Sequence, residues 1–222
     1  TFVGLKQFHY IFTMPSFRQA FVNTIIIAFF KITLSIFVPL VLSLMLNEVT
    51  KSWFKRSVQT IVFIPYFFSW AILAGMVLEI FAYDGVINNV LESLFGMEPI
   101  AFLVSNKYFR TIVIGSDVWK GMGYNTVLLL AAITNVDPTL HEAAQVDGAG
   151  RWKQMLHVTL PGIMPMVAVL TVLGLGGILN AGFEQILIMY NPTVEKTVDI
   201  LDTLVYRLGM VSHQYSAAAA MG

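Results

Sequence analysis

Cysteine is absent from this 222-residue chain. That removes disulfide bridges, thiolate nucleophiles and cysteine-ligated metal from consideration. Charge is almost as scarce. Asp, Glu, Lys and Arg make up 12% of residues and cancel to zero net charge, half of the roughly 25% typical of soluble domains. A balanced, sparse charge gives no electrostatic footprint for nucleic acid. No Gly-x4-Gly-Lys-[Ser/Thr] run begins at any of the sixteen glycines, so the chain has no phosphate-cradling loop of that kind. The four histidines, His9, His141, His157 and His213, form no His-Glu-x-x-His or comparable ligand spacing, and no metal site is expected. No recognisable catalytic motif is present either.

What is abundant is apolar surface. Hydrophobic residues reach 57% and the mean hydropathy is +0.74. A water-soluble fold of this composition would expose large apolar patches, so the chain is expected to sit in a membrane. About 20 apolar residues in a helix cross a hydrocarbon core of about 30 Å. Four stretches meet that length: residues 21–46, 57–81, 109–133 and 162–189. They are continuously apolar rather than alternating, which predicts helices. Pro39, Pro65 and Pro165 are expected to kink or start their helices. The reading is an all-α polytopic transmembrane bundle of about four complete spans, one domain over residues 1–222. Residue 1 is Thr, and the chain closes on an alanine run that resembles the opening of a further helix, so truncation at both ends is expected.

Basic residues set the sidedness. Lys51, Lys55 and Arg56 crowd the first connection, and Arg151 and Lys153 fall on the same side by parity. Lys6, Arg18, Lys107, Arg110, Lys196 and Arg207 are spread over a longer opposite side. The segment 134–161 is therefore expected to be cytoplasmic. Trp53, Tyr66, Tyr83, Tyr108 and Trp152 lie near predicted helix ends, as interfacial anchors do.

That segment has the most explicit local chemistry. Asp137 before Pro138 predicts a capped helix start with proline at the first helical position. Glu142 suits the positive end of the helix dipole. Leu140, Ala143 and Ala144 share a narrow apolar face, and Gly148 is placed to end the helix in a left-handed conformation. A second short helix is predicted over residues 150–157, with Leu160-Pro161 turning the chain back to the membrane. By these features alone, a coupling helix lying in a groove on a partner and an amphipathic helix resting on lipid headgroups stand equally open.

Glu142-Ala143-Ala144, three residues, Gly148, nine residues and Val158-x-Leu160-Pro161 resemble the signature of permease subunits of binding-protein-dependent ABC importers, with Val for Ile as the one departure. Asp147-Gly148-Ala149 resembles its commonest form. Phe21-Val-Asn-Thr24 resembles the opening of the permease core, Trp119-Lys-Gly-Met-Gly-Tyr124 is similar to the third core helix of the carbohydrate-uptake branch, and the stretch from Thr203 and Tyr206 to Tyr215-Ser-Ala-Ala-Ala219 resembles the maltose-type sugar permeases. The resemblance implies a type I ABC importer permease fold and a translocation pathway for a sugar or oligosaccharide, half of it formed by this chain. It implies a coupling helix involving Glu142, Ala143, Ala144, Asp147, Gly148, Ala149, Leu160 and Pro161.

The partners it implies are two ATP-binding subunits, a second permease, an extracytoplasmic substrate-binding protein and lipid, with no nucleic acid. ATP and Mg would be used by the partner ATPase, no cofactor being bound by this chain. The location implied is a bacterial or archaeal cytoplasmic membrane. The amino-acid or peptide branch of the same superfamily is the alternative, and a polytopic membrane enzyme a more distant one.

Ionisable residues inside a span are costly and mark function by default. Asp117 and Lys120 are three apart on one helix face and can pair, either lining the path or orienting the helix. Trp119, Tyr124, Asn125, Asn180 and Glu184 are candidate pathway residues, since aromatic rings stack on sugars and amides or carboxylates bond hydroxyls. Gly174, Gly176 and Gly177 would allow close helix approach. Lys31 is assigned no role.

Overall fold

Helices account for the regular structure in a computed structural model of the chain, which describes residues 5–179 and 181–222. In chain order they are α1 (Lys6–Thr13), α2 (Pro15–Glu48), α3 (Ser52–Phe63), α4 (Trp70–Ile80), α5 (Val86–Phe95), α6 (Phe109–Thr134), α7 (Pro138–Val146), α8 (Arg151–Gln154), α9 (Leu160–Gly176), α10 (Phe183–Met189), α11 (Glu195–Val198), α12 (Leu201–Tyr206) and α13 (Tyr215–Met221). No strand occurs among the described residues.

The first expected stretch is contained in α2, whose 34 residues run unbroken through Pro39. The third coincides with α6. The other two differ from expectation. Where one span over 57–81 was expected, α3 passes into a 3₁₀ turn at Ile64–Phe67 and the helix restarts at Trp70. Pro65 withholds an N–H from the ladder, and Ser69 is extended at ψ 158°. Where one span over 162–189 was expected, α9 ends at Gly176 and α10 starts at Phe183. Glycine is the weakest helix former after proline, and Gly182 adopts φ +98°.

By length and composition, α2 and the continuous helix Arg151–Gly176 can cross a membrane, and the broken pair α3/α4 would make a third span if counted as one. Among the described residues, two helices, or three with the broken pair, thus meet that length and composition where four stretches were expected. Although α6 has the length, its Arg110, Asp117 and Lys120 lower its apolar character.

The chain divides into two compact units. The first comprises residues 1–31, 68–116 and 177–222, and the second residues 32–67 and 117–176. In the first, Ala20, Leu204, Leu208 and Ala218 form a buried cluster flanked by Met14, Phe17 and Met221. Here α1 packs along α13 and α4 along α10. Around this cluster the unit is stitched by polar side chains. Asn23 donates to the carbonyl of Asp199 (3.0 Å) and accepts from Arg110 Nη2 (2.7 Å), while Arg110 Nε donates to the carbonyl of Thr197 (2.8 Å). Buried Asn88 likewise bonds the backbone of Ala82, Tyr83 and Ile100, pinning the loop around α5.

The second unit has the less polar interior among the described residues. Leu46, Leu130, Ile133 and Ile163 form its cluster, flanked by Leu40, Leu42, Val58 and Val136. Close backbone approach depends on particular glycines. A Cβ on Gly123 would collide with the carbonyl of Val62 and the Cα of Phe63, so only glycine lets α6 pass the end of α3. A Cβ on Gly174 would fall 3.2 Å from Ile32, the tight contact expected of that position.

Candidate functional site

The loop between α6 and α9 belongs to the second unit, and its conformation follows from its residues. Asp137 accepts a hydrogen bond from the Thr139 amide (2.9 Å) across Pro138, capping α7. That bond holds the exposed Asp137 carboxyl below its ordinary pKa. At the other end Gly148 takes φ +77°. The amides of Gly148 and Ala149 then donate to the carbonyls of Gln145 (3.0 Å) and Ala144 (2.8 Å). This pair of bonds is the Schellman arrangement, in which a left-handed residue lets the chain satisfy the last helix carbonyls and leave. The cap and stop expected at Asp137 and Gly148 are thus present.

The exit differs from expectation. The helix started by Arg151 runs through a wide π turn at Met155–Thr159 directly into α9. Leu160 and Pro161 therefore lie inside a continuous helix instead of turning the chain. A proline ring clashes with the carbonyl four residues back in regular α geometry, and the wide turn immediately before Pro161 gives it room.

The loop presents an apolar outer face. Leu140 (52%), Val146 (88%) and Trp152 (75%) are exposed, as are Glu142 and Ala143, while Ala144 and Ala149 are half-buried and Asp147 and Gly148 exposed. Beneath it lies an open, mostly polar cleft of about 420 Å³, lined by Asn47, Glu48, His141, Gln145, Arg151 and Gln154 among others.

The candidate pathway residues divide between the units. In the second, Tyr124 stacks on Tyr66 with ring centroids 4.8 Å apart and planes 10° apart, and Tyr66 stacks on Phe63 at 5.8 Å and 9°. Lys120 donates to the carbonyl of Tyr66 (3.3 Å), with Asp117 one turn earlier on the same helix. Asn125 spends its amide on the carbonyl of Ser35 (2.9 Å) and so ties α6 to α2. Trp119 is half-buried. Glu184 belongs to the first unit and stands exposed in the first turn of α10. Asn180 lies outside the described residues.

Sequence reasoning missed two charged clusters of the first unit. Arg207 binds Asp199 (2.6 Å), Glu195 (3.0 Å) and the Tyr190 hydroxyl (2.8 Å). Burial pushes the Asp199 carboxyl up, against the Thr203 hydrogen bond and the Arg207 guanidinium that pull it down. The other cluster centres on Lys31, buried in α2. A lysine inside the longest apolar run was the available signal.

All-helical structure, membrane-length apolar helices and a firmly capped, exposed loop leading into one of them define a multi-pass membrane protein. The chain belongs to the family of binding-protein-dependent transport system inner membrane components, whose profile matches residues 31–221. It is 42% identical over 222 residues to the polygalacturonan/rhamnogalacturonan transport system permease protein YteP of Bacillus subtilis, covering 99% of this chain and 68% of that protein. A crystal structure of a bacterial ABC transporter involved in the import of the acidic polysaccharide alginate matches with a TM-score of 0.95 at 40% identity, over 100% of this chain and 77% of that one. A crystal structure of bacterial alginate ABC transporter in complex with alginate pentasaccharide-bound periplasmic protein matches equally well, at 0.95 and 40% over 99% and 76%. This chain is accordingly a transport permease.

Proposed function

We propose that the chain forms half of the pathway by which an ATP-driven importer carries an oligosaccharide across a bacterial or archaeal cytoplasmic membrane. Residues 1–222 act as one permease domain with a cytoplasmic coupling loop at 134–161. The observation carrying this reading is that loop: a short helix capped by Asp137, stopped by the left-handed Gly148 and exposing Leu140, Ala143 and Val146. A short, rigid helix with small residues on its face suits a groove in a partner. Glu142, Ala143, Ala144, Asp147, Gly148 and Ala149 meet the ATPase, and Leu160 and Pro161 pass its motion into α9.

Two ATPase subunits hold and hydrolyse ATP with Mg, this chain binding no cofactor. A second permease completes the pathway, and a binding protein delivers the cargo. Trp119, Tyr124, Asn125, Asn180 and Glu184 line the path, and Asp117 and Lys120 pair near it. The substrates in the names of the similar proteins favour an acidic oligosaccharide, and sugar-face stacking suits Tyr124.

The test is co-purification of the detergent-solubilised complex with Gly148→Trp. A bulky residue with a Cβ at φ +77° disrupts the helix stop. The ATPase is expected to be lost from the complex, and substrate-stimulated hydrolysis with it. Unchanged association and stimulation would remove the coupling role.

A further inference from the structure

Lys31 has no part in the reading above, yet it is the most buried lysine or arginine among the described residues of the first unit. It is 6% exposed. Its Nζ donates to the carbonyl of Ala181 (2.9 Å) and to Oε1 of Gln185 (2.5 Å). Gln185, itself fully buried, donates from Nε2 to the carbonyl of Val113 (2.7 Å) and to Oγ of Ser116 (2.8 Å). Ser116 in turn donates to the carbonyl of Ile112 (2.7 Å). The ammonium of α2 thus reaches α6 through one glutamine and grips the turn that opens α10.

That turn is specialised to receive it. Gly182 sits at φ +98°, and a Cβ there would collide with Lys31 Nζ. Its carbonyl accepts the Ile186 amide (3.0 Å), starting the helix. The two Lys31 acceptors, Ala181 and Gln185, bracket Gly182, Phe183 and Glu184. Placing an ammonium in a membrane-spanning helix is costly, and a residue that only filled space there would be apolar. Hydrogen bonds from a charged donor are short and directional, which suits a group that fixes an angle.

We propose that Lys31 is a positioning residue of the transport pathway: its ammonium holds the turn from Ala181 to Gln185 in one geometry and thereby sets where Glu184 meets the passing substrate. The proposal rests on Glu184 lining the path.

Because these 222 residues contain no cysteine, Glu184→Cys supplies a thiol at one defined position of the stretch. In the assembled complex, its rate of labelling by a small maleimide is compared with and without Lys31→Met, a near-isosteric change that removes the charge. A several-fold change in rate is expected, and this arm needs no substrate. With Glu184 intact, Lys31→Met is expected to raise KM for uptake of an oligogalacturonide or alginate oligosaccharide about ten- to a hundredfold, leaving maximal rate nearly unchanged.

The double variant Lys31→Met/Gln185→Met removes both partners and leaves fewer buried groups unsatisfied. It is expected to recover thermal stability without recovering KM. Equal labelling rates overturn the proposal directly. Altered labelling with unchanged KM overturns it through the pathway reading of Glu184. Recovery of KM together with stability in the double variant reduces Lys31 to a structural role and overturns it as well.

Discussion

Each of the two units is held together internally by its own means. The first relies on side chains that bond backbone far along the chain, Asn23 to Asp199, Arg110 to Thr197 and Lys31 to Ala181, and on the Arg207–Asp199 ion pair. The second has such bonds from Asn125 to Ser35 and from Lys120 to Tyr66, and otherwise relies on apolar packing around Leu46, Leu130 and Ile163, on glycines that let helices touch, and on a loop whose ends are satisfied within a few residues. A polar brace costs desolvation and becomes stabilising only when every partner is present. A dry helix contact tolerates sliding as long as shape is kept. The first unit is therefore expected to fail abruptly when one group is removed, and the second to respond in proportion to the volume changed.

The sharpest way to break that contrast is Arg207→Ala. Asp199 would keep a buried carboxylate without its cation, at a cost of about 3 kcal/mol. We take the lower end of the range for buried pairs because the Arg207 side chain is 28% exposed. The sign with pH follows from burial, which raises the Asp199 pKa in the fold. The ionised form is the disfavoured one, so the deficit is full above the folded pKa and shrinks as acid protonates Asp199. Thermal unfolding in detergent across that range reads both effects. A deficit that does not change with pH would place the cost elsewhere.

Next in size is a pair of glycines one helical turn of α6 can compare. Gly123→Ala forces a methyl against the backbone of Val62 and Phe63 and is expected to cost about 1–3 kcal/mol. Nothing lies within 4 Å of a Cβ on Gly121, so Gly121→Ala is expected to gain up to about 1 kcal/mol from helix propensity. Similar unfolding temperatures for the two variants would contradict the tight packing assigned to the second unit.

The smallest effect concerns the loop alone. Hydrogen bonding to Thr139 lowers the Asp137 pKa, so the cap is intact above the unfolded carboxyl value and is lost as pH falls through the lower folded one. The protection of the Thr139 amide, taken relative to its intrinsic exchange rate at each pH, is expected to fall over that acid window, and Asp137→Ala to remove that change. An amide indifferent to both changes would show that α7 is held by packing instead of its cap.

The same division decides what could be read from the sequence. Asp137-Pro138 and Gly148 act on groups two to five residues away, so the loop's start and stop were legible as local chemistry. The signature around Glu142, Ala143 and Ala144 was legible as a pattern. Hydropathy located α2 and α6 well, but it averages over neighbours, so it ran straight through the extended Ser69 and the left-handed Gly182. The partners of Lys31 and Asn23 are fixed by tertiary proximity; Lys31 and Gln185 stand 154 positions apart. No window of sequence contains such a pair. Tyr66 stacking on Tyr124 was hidden for the same reason.

The π turn at Met155–Thr159 has a further consequence, one of phase. In a regular α-helix, residues seven apart lie on nearly the same face. Leu156 and Trp152 would then share an azimuth with Ile163 and Thr159. Yet Leu156 and Trp152 are 50% and 75% exposed, while Ile163 and Thr159 are 1% and 3% exposed. A turn closed five residues back takes up one residue more than an α turn, which offsets the helix by roughly 100°. One uninterrupted rod thus carries two faces pointing in different directions, so the side it shows at the loop end is not the side it buries beyond the turn.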